Sequence, residues 1–452
     1  MSIQMNRYHR VYAAGVMALA LSIAGCDVTN PGPVNDDGLA NAPSQQGLVN
    51  GAVRRMSELM GYGTYTQALL AREIFPAGQI GAFGHDVAIQ GGYMPPGSAG
   101  SSRSGNGYWV DAQQARFISE TAIARFTEVS APDAMLYQAH LWAGWTYRVM
   151  GEWWCDAVVT SQDGDPLAPP GTFEQGTATY FNRAVQNFTA ALGYAATDAE
   201  RNAALAGRAQ AYVWLEQWGN AAADATLVPD DFVFLMEYDG LEQAYFNTLA
   251  WANAWTPYGS YTMHYTFFKD HYETTGDPRT VVYEDPDHPL GVGSLSGYGP
   301  VEWSNQSKYP TRDDDQRLAS GWEMRLIEAE AILAQGGAFG DAMTLINAVR
   351  TRNISDLDDD PLPAVAAANA TEAWTALKQE RYIELWLEGR RLADERRWAE
   401  DGTPGTLDTP NWENWEGGGP LSPIFLDNPR SYCLDIPESE RDANPNVPGL
   451  GG

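Results

Sequence analysis

Apolar residues recur along this chain at helical spacing far more often than in strict alternation. Gln45 to Leu59 carries Leu48, Val53 and Met56 on one face. Ala112 to Glu128 is a second helical segment, and Pro132-Asp133 opens a third in which Leu136, Ala139, Ala143 and Tyr147 face inward. Arg183 to Leu192 carries Ala184, Phe188, Ala191 and Leu192, and Asn202 to Gln217 carries Leu205, Ala209 and Tyr212. Trp218-Gly219 then leads into a short alanine-rich helix. Gly321 to Gln335 and Asp341 to Arg352 form a further pair across Gly336-Gly337, with Trp322, Leu326, Ala329 and Leu333 set against Ala342, Leu345, Ile346 and Val349. Small residues oppose large ones in pairs roughly 35 to 40 residues apart, the pattern of degenerate tetratricopeptide-type units. The predicted class is mainly α, with a helical frame at 45–80, 111–226 and 321–399.

The period fails in three places, 81–110, 227–320 and 400–452, where Gly, Pro and Ser are dense. Aromatic residues nevertheless crowd these stretches. Trp251, Trp255, Tyr258, Tyr261, Tyr265, Phe267, Phe268 and Tyr272 fall close together in the second. Aromatics on loops held by a rigid frame make binding surfaces. Tyr93, Tyr108, Trp109, Trp255, Tyr258 and Trp303, in polar or Gly/Pro-bearing surroundings, are the candidate ligand-contact residues.

Charge narrows the partners. Lys+Arg number 28 against 58 Asp+Glu, a net charge of −30. Such a field repels nucleic acid and anionic membrane surfaces. The N-terminus has a basic start at Arg7, His9 and Arg10 and a short apolar run from Val11 to Ile23, too short to span a membrane. Ile23-Ala24-Gly25-Cys26 follows, the pattern of a bacterial lipobox, which predicts a signal at 1–25, a lipidated Cys26, a tether to residue 44 and a body at 45–452. Cleavage elsewhere, releasing a soluble protein, is the other reading. Acylation of Cys26 leaves Cys155 and Cys433, an even pair in an exported chain, to form a disulfide or to remain two buried thiols.

The densest motif is Glu380 to Trp398, ERYIELWLEGRRLADERRW. Its periodicity predicts one helix. Glu380, Glu384 and Glu388 stack at i, i+4 and i+8, a repulsive arrangement unless cations of a neighbouring element share an ion network with them. Glu380-Arg381, Glu384-Leu385, Glu388-Gly389-Arg390-Arg391, Asp394 and Arg397-Trp398 resemble the signature of SusD/RagB proteins. Glu328-Ala329-Glu330, Leu345-Ile346-Asn347-Ala348-Val349-Arg350, Asp277-Pro278-Arg279, Lys308-Tyr309, the Gly51-Ala52 step and the closing Ile436-Pro437, Glu440 and Asn444-Pro445 are similar to further steps of that family. The chain departs from the family at Asp27, directly after the predicted lipid anchor, and in its terminal Val447 to Gly452. The resemblance implies a lipid-anchored outer-membrane protein on the surface of a Gram-negative bacterium. It would bind an oligosaccharide or peptide and deliver it to a TonB-dependent SusC-like transporter. In that family the signature helix is structural and not a ligand site.

The chain carries no enzyme signature of weight. H-E-x-x-H, G-x-S-x-G and P-loop motifs are absent. His264 and His271, seven apart, could share a helix face, but their aromatic setting favours packing. Asp356 to Asp360 begins like a calcium loop, yet Pro361 stands where such a loop requires Gly. Nothing among the 58 acids singles out a glycosidase pair. The expectation is therefore a binding protein with no catalytic residues, cofactor or metal. A helical scaffold for protein partners and an extracellular glycoside hydrolase are the alternatives. Cys26→Ser is expected to abolish fatty-acid labelling and membrane partitioning; a variant that still labels would exclude the lipobox reading.

Overall fold

The computed structural model describes residues 42–77, 89, 92–98, 107–162, 168–253, 259–291, 301–407 and 430–450. The chain divides into two units, Met1–Ser44 and Gln45–Gly452, and the second carries the fold. Cys26 lies outside the described residues.

The helices run in order as α1 (Ala42–Leu70), α2 (Gly107–Glu128), α3 (Asp133–Trp153), α4 (Ala178–Tyr194), α5 (Asp198–Trp214), α6 (Trp218–Leu227), α7 (Thr248–Asn253), α8 (Phe267–Thr275), α9 (Gly321–Ala334), α10 (Phe339–Thr351), α11 (Ala370–Glu384), α12 (Arg391–Glu400) and α13 (Glu438–Ala443). The strands are short: β1 (Phe75–Pro76), β2 (Ala157–Val159), β3 (Thr172–Glu174), β4 (Val233–Met236), β5 (Tyr261–Thr262), β6 (Val282–Tyr283), β7 (Asn305–Gln306) and β8 (Gln316–Ser320). They pair antiparallel as β1 with β5, β2 with β3, β4 with β8 and β6 with β7.

The frame is a stack of antiparallel-type helix pairs, as the small-against-large pattern predicts. α2 packs on α3, α3 on α4, α4 on α5, and α5 on α6. Phe188 of α4 shows why small residues are needed. A Cβ on Gly144 of α3 would lie 2.7 Å from its ring, and one on Gly207 of α5 2.3 Å. α5 starts with a reciprocal capping box, the Thr197 side chain accepting from Glu200 N and the Glu200 carboxylate accepting from Thr197 N.

α6 packs directly on α9, although ninety-odd residues of sequence intervene, carrying α7, α8 and β4 to β8. β4 and β8 close the base of that insertion. At its exit a Cβ on Gly321 would lie 2.0 Å from the Pro229 carbonyl oxygen, so no other residue fits without parting the strands. The insertion thus leaves the helical stack and returns to it through one narrow neck.

Three expectations are corrected. α1 runs to Leu70 and not Leu59, because nearly all of Met56 to Leu70 is buried and an all-round apolar surface has no period to read. α2 begins at Gly107, so Tyr108 and Trp109 belong to its first turn and not to a loop. The segment 380–398 is not one helix. α11 stops at Glu384, Leu387 and Gly389 take φ of 59° and 67°, and α12 starts at Arg391.

Buried side chains satisfy the backbone of that break. Leu387 N donates to Glu73 Oε1 at 3.2 Å, Trp153 Nε1 to the Gly389 carbonyl at 3.1 Å, and Lys308 Nζ to the Trp386 carbonyl at 2.5 Å. The signature charges then lock the surrounding elements. Asp277 accepts from Arg279 Nε at 3.0 Å and Nη2 at 2.7 Å, and from His271 Nε2 at 3.1 Å. It thereby aims Arg279 Nη1 at Glu380 (2.6 Å) and Glu384 (3.0 Å). Arg317 reaches Glu384 at 3.0 Å and Glu388 at 2.6 Å, Lys308 reaches Glu388 at 2.7 Å, and Arg352 reaches Glu384 at 3.1 Å. On the other side of α11, Arg381 pairs with Asp394 at 2.9 Å, and Glu330 of α9 accepts from Arg397 Nη2 and Trp398 Nε1, both at 2.8 Å. Asn347 binds both backbone groups of Val365. The D-P-R, K-Y, A-E-A and L-I-N-x-V-R steps are thus all joined to the signature or to its neighbours.

The tail is held differently. Cys155, just after α3, and Cys433 form a disulfide with Cα atoms 5.2 Å apart across 278 residues of sequence. Cys155 N donates to the Leu434 carbonyl at 2.9 Å, and Leu434 N to the Trp153 carbonyl at 2.7 Å. Leu434, Ile436 and Val447 enter the main core. Asn444 of the closing motif donates to the Gly171 carbonyl at 3.0 Å.

Two outcomes follow from this arrangement. In the oxidised, unfolded protein no free thiol is expected at Cys155 or Cys433, and Cys433→Ser should destabilise the fold by about 2–5 kcal/mol in denaturant titration. Burial alone would raise the Glu384 carboxyl, but Arg317, Arg279 and Arg352 outweigh it and hold it at about 2. Its folded value lies below its unfolded one, so its contribution is complete above the ordinary carboxylate range and is lost as pH falls from there toward 2. Glu384→Gln strands buried cations and is expected to cost about 3–5 kcal/mol at neutral pH, with the difference from wild type shrinking on acidification.

Candidate functional site

The insertion between α6 and α9 brings its aromatics and polar groups to one surface. β1 lies against β5 and fixes the Phe75 ring edge-on to Tyr265, centroids 4.8 Å apart. Met263 N donates to the Ser304 carbonyl at 3.0 Å, and Gly291 N to the Val301 carbonyl at 2.8 Å, so residues 301–304 are fastened at one end to the residue after β5 and at the other to Gly291. β6 and β7 continue the same patch, with Asn305 Nδ2 donating to the Tyr283 hydroxyl at 3.2 Å.

These backbone bonds close a ring of side chains. His264 Nε2 lies 2.7 Å from Glu302 Oε2, and its Nδ1 lies 3.8 Å from Glu284. Lys269 of α8 reaches Glu284 at 3.2 Å and also pairs with Glu273. The Tyr265 hydroxyl accepts from Glu302 N at 3.2 Å. Burial raises the Tyr265 phenol, the Glu302 backbone bond opposes that shift, and the Glu302 charge adds to it, so the phenol stays a neutral donor and acceptor at physiological pH. Tyr283 is 47% exposed and Glu302 and Glu284 each 59%, whereas Tyr265 is half-buried. The result is a surface with one exposed tyrosine, Tyr283, and one half-buried, Tyr265, among carboxylate, imidazole, amide and ammonium groups. Such a surface stacks on an apolar ligand face and exchanges hydrogen bonds with polar groups at its edge.

The residues chosen from sequence are placed otherwise. Tyr108 is 1% exposed, and its hydroxyl bonds Thr66 within the core. Trp109 is 2% exposed, packs edge-on to Trp154 and donates Nε1 to Glu440 Oε2 at 3.0 Å. Trp303, also 2% exposed, donates Nε1 to the Tyr261 carbonyl at 3.0 Å. These three are corrections: each polar tip meets a partner inside the protein, so none offers a face to a ligand in this structure. Tyr93 is half-buried, and Trp255 and Tyr258 lie outside the described residues. His264 and His271 do not share a helix face, since His264 precedes α8 while His271, within it, stacks on Phe267 and bonds Asp277.

Tyr283, Glu284 and Glu302 are absent from the sequence-based candidates. A signal existed in the Tyr283-Glu284 and Glu302…Asn305 pairs, each mixing an aromatic or amide with an acid beside Pro or Gly. Only the β6–β7 and β5 pairings bring them together, however. Among the described residues no cluster of His, Cys, Asp and Glu is arranged to hold a metal, and no helix is long and apolar enough to cross a membrane.

The fold has many solved counterparts. A SusD superfamily protein from Bacteroides vulgatus superimposes with a TM-score of 0.60 at 16% identity, over 91% of this chain and 99% of that one. A SusD homolog from Bacteroides thetaiotaomicron gives 0.64 at 15% identity, over 91% and 97%. A SusD-like carbohydrate binding protein from Bacteroides vulgatus gives 0.63 at 14% identity, over 90% and 97%. No curated protein matches the sequence. The sequence model of the SusD family matches residues 195–448, which include the α11–α12 signature, the D-P-R and K-Y steps and the closing motif. On that match, and with the same fold, the chain belongs to the SusD family.

Proposed function

We propose that this protein is a lipid-anchored cell-surface receptor that binds a glycan, with peptide as the alternative ligand, and passes it to a TonB-dependent SusC-like transporter in the outer membrane. The observation that carries this reading is the ring formed by Tyr265, Tyr283, His264, Glu302, Glu284 and Asn305. Pyranose rings present an apolar face and a hydroxyl rim, which suits two tyrosines edged by acceptors and donors. The neighbour described as a SusD-like carbohydrate binding protein supports the same ligand class, as does the family. The net charge of −30 disfavours anionic ligands and leaves neutral saccharides as the best match. The role is binding without catalysis: His264 already spans Glu302 and Glu284, and the two carboxylates are solvent-exposed, not set apart in a shielded cleft.

Calorimetry with a panel of neutral oligosaccharides and of peptides is the test. Tyr283→Ala should weaken the cognate ligand about fivefold to thirtyfold, in keeping with the loss of one stacked ring, and leave the melting temperature within a degree or two because its side chain is half in solvent. Glu302→Gln should weaken it less. Unchanged affinity in both variants would move the site elsewhere, and binding of peptides alone would replace the glycan by the peptide reading.

A further inference from the structure

A cavity of about 320 Å³ opens where α2, β2, the approach to β3 at 168–171, and α13 meet. Its volume lies at the low end of small-ligand sites, which run from about 300 to 1,000 Å³. It shares no residue with the Tyr265–Tyr283 ring. Phe117, Pro169 and Pro170 line it on the apolar side, and Gln113, Arg116, Thr160 and Glu440 on the polar side. The walls are held from within the protein. Asn446 Nδ2 donates to the Pro170 carbonyl at 3.2 Å, and Arg183 Nη2 to the Thr160 carbonyl at 2.6 Å. Arg116 is 6% exposed; its Nε donates to Gln113 Oε1 at 2.7 Å and its Nη1 to Glu120, and Nη2 is engaged in neither bond. The Thr160 hydroxyl is buried and has no hydrogen-bond partner.

Both signs of charge therefore stand at the wall. Arg116 is already paired with Glu120, which also accepts from the Tyr147 hydroxyl. Glu440 accepts from two neutral donors, Trp109 Nε1 and Asn444 Nδ2, each at 3.0 Å. An anion would suit Arg116 but meet Glu440 and a chain of net charge −30; a cation would suit Glu440 but meet the buried guanidinium. A neutral polyol suits both, because a hydroxyl accepts from a guanidinium or an amide, donates to a carboxylate, and turns to do either. A peptide group has its one donor and one acceptor fixed on opposite sides. The C–H face of a pyranose also covers an aromatic ring and the apolar edges of prolines. We propose that this cavity is a second ligand site, for one neutral sugar residue, with its ring against Phe117 and the Pro169–Pro170 pair and its hydroxyls shared among Arg116, Gln113 and Glu440.

The test uses the full chain carrying Tyr283→Ala, which weakens the first surface. Calorimetry follows its titration with methyl glucoside, methyl galactoside and methyl xyloside, with methyl glucuronide and glucosamine as the charged comparisons. Crystals of the same chain are soaked with the glycoside that binds best. At least one neutral glycoside should bind in preference to both charged sugars, and its ring should lie against Phe117 in the soaked crystals. Adding Phe117→Ala should weaken it about threefold to tenfold, in keeping with the loss of one aromatic face. Adding Ala443→Trp, at an exposed position that lines the cavity, should block it while the melting temperature holds. If Tyr283→Ala alone leaves glycan affinity unchanged while the cavity changes lower it, the Tyr265–Tyr283 reading fails and this one stands. No binding of any neutral glycoside, preference for the glucuronide or glucosamine, an empty cavity in the soaked crystals, or equal affinity with and without both cavity changes would each overturn the proposal.

Discussion

The fold turns on a line of three carboxylates that cannot stand alone. Glu380, Glu384 and Glu388 lie in or just beyond the last turns of α11, each 2% exposed or less. Left unpaired in an interior of low polarity, any one of them would take up a proton or unfold its surroundings. Arg279, Arg317, Lys308, Arg350 and Arg352 neutralise them from five places in the sequence. A buried ion pair adds little net stability compared with a well-packed apolar pair, because desolvation offsets the attraction. Its effect here is on geometry. Arg279 can satisfy Glu380 and Glu384 only when the insertion that carries it docks at one place on α11, and Arg317 imposes the same condition on β8. The insertion, with its candidate ligand surface, is therefore positioned by charge at its root and left free to differ at its rim.

This explains why the signature was legible as structure and its shape was not. The spacing of the glutamates called for compensating cations, and the structure supplies them. The helix break was hidden because Leu385, Trp386 and Leu387 are all buried, so the apolar pattern runs unbroken into Leu387, whose backbone is left-handed. What stops the helix is remote: Glu73, Trp153 and Lys308 each claim a backbone group at the break. The same limit governs the aromatics. Tyr108, Trp109 and Trp303 stand in polar, glycine-rich sequence that resembles a binding loop. Thr66, Glu440 and the Tyr261 carbonyl, all distant in sequence, occupy their polar tips. An aromatic with a satisfied tip is a core residue whatever its neighbours in the chain.

Charge links the interior to the surface. The chain has few cations, and many of them are interior: Arg148, Arg381, Arg390, Arg391, Arg396 and Arg397 are all buried. Each one paired with an internal carboxylate withdraws one charge of each sign, so the whole net charge of −30 stays with the exterior while few cations remain there to offset it. That net charge biases which ligands can approach.

The family match begins at residue 195, after α4, whereas the solved counterparts cover about nine-tenths of the chain. The two halves are specified by different physics. From α9 onward, named charges must meet named partners, and a motif records them. In α1 to α4 polar contacts such as Arg116–Glu120 and Arg148–Glu152 exist, but the packing between helices is largely apolar, typified by Phe188 against Gly144, and many combinations of small and large residues fill the same space. A helical stack of that kind can keep its shape at 14–16% identity while leaving little for a sequence pattern to detect. The disulfide between Cys155 and Cys433 couples the two halves, tying the end of α3 to a tail whose own motif anchors Trp109 through Glu440. The tail thereby adds a covalent bond and an indole to the links that Glu73 and Trp153 already make from the weakly patterned half to the break between α11 and α12.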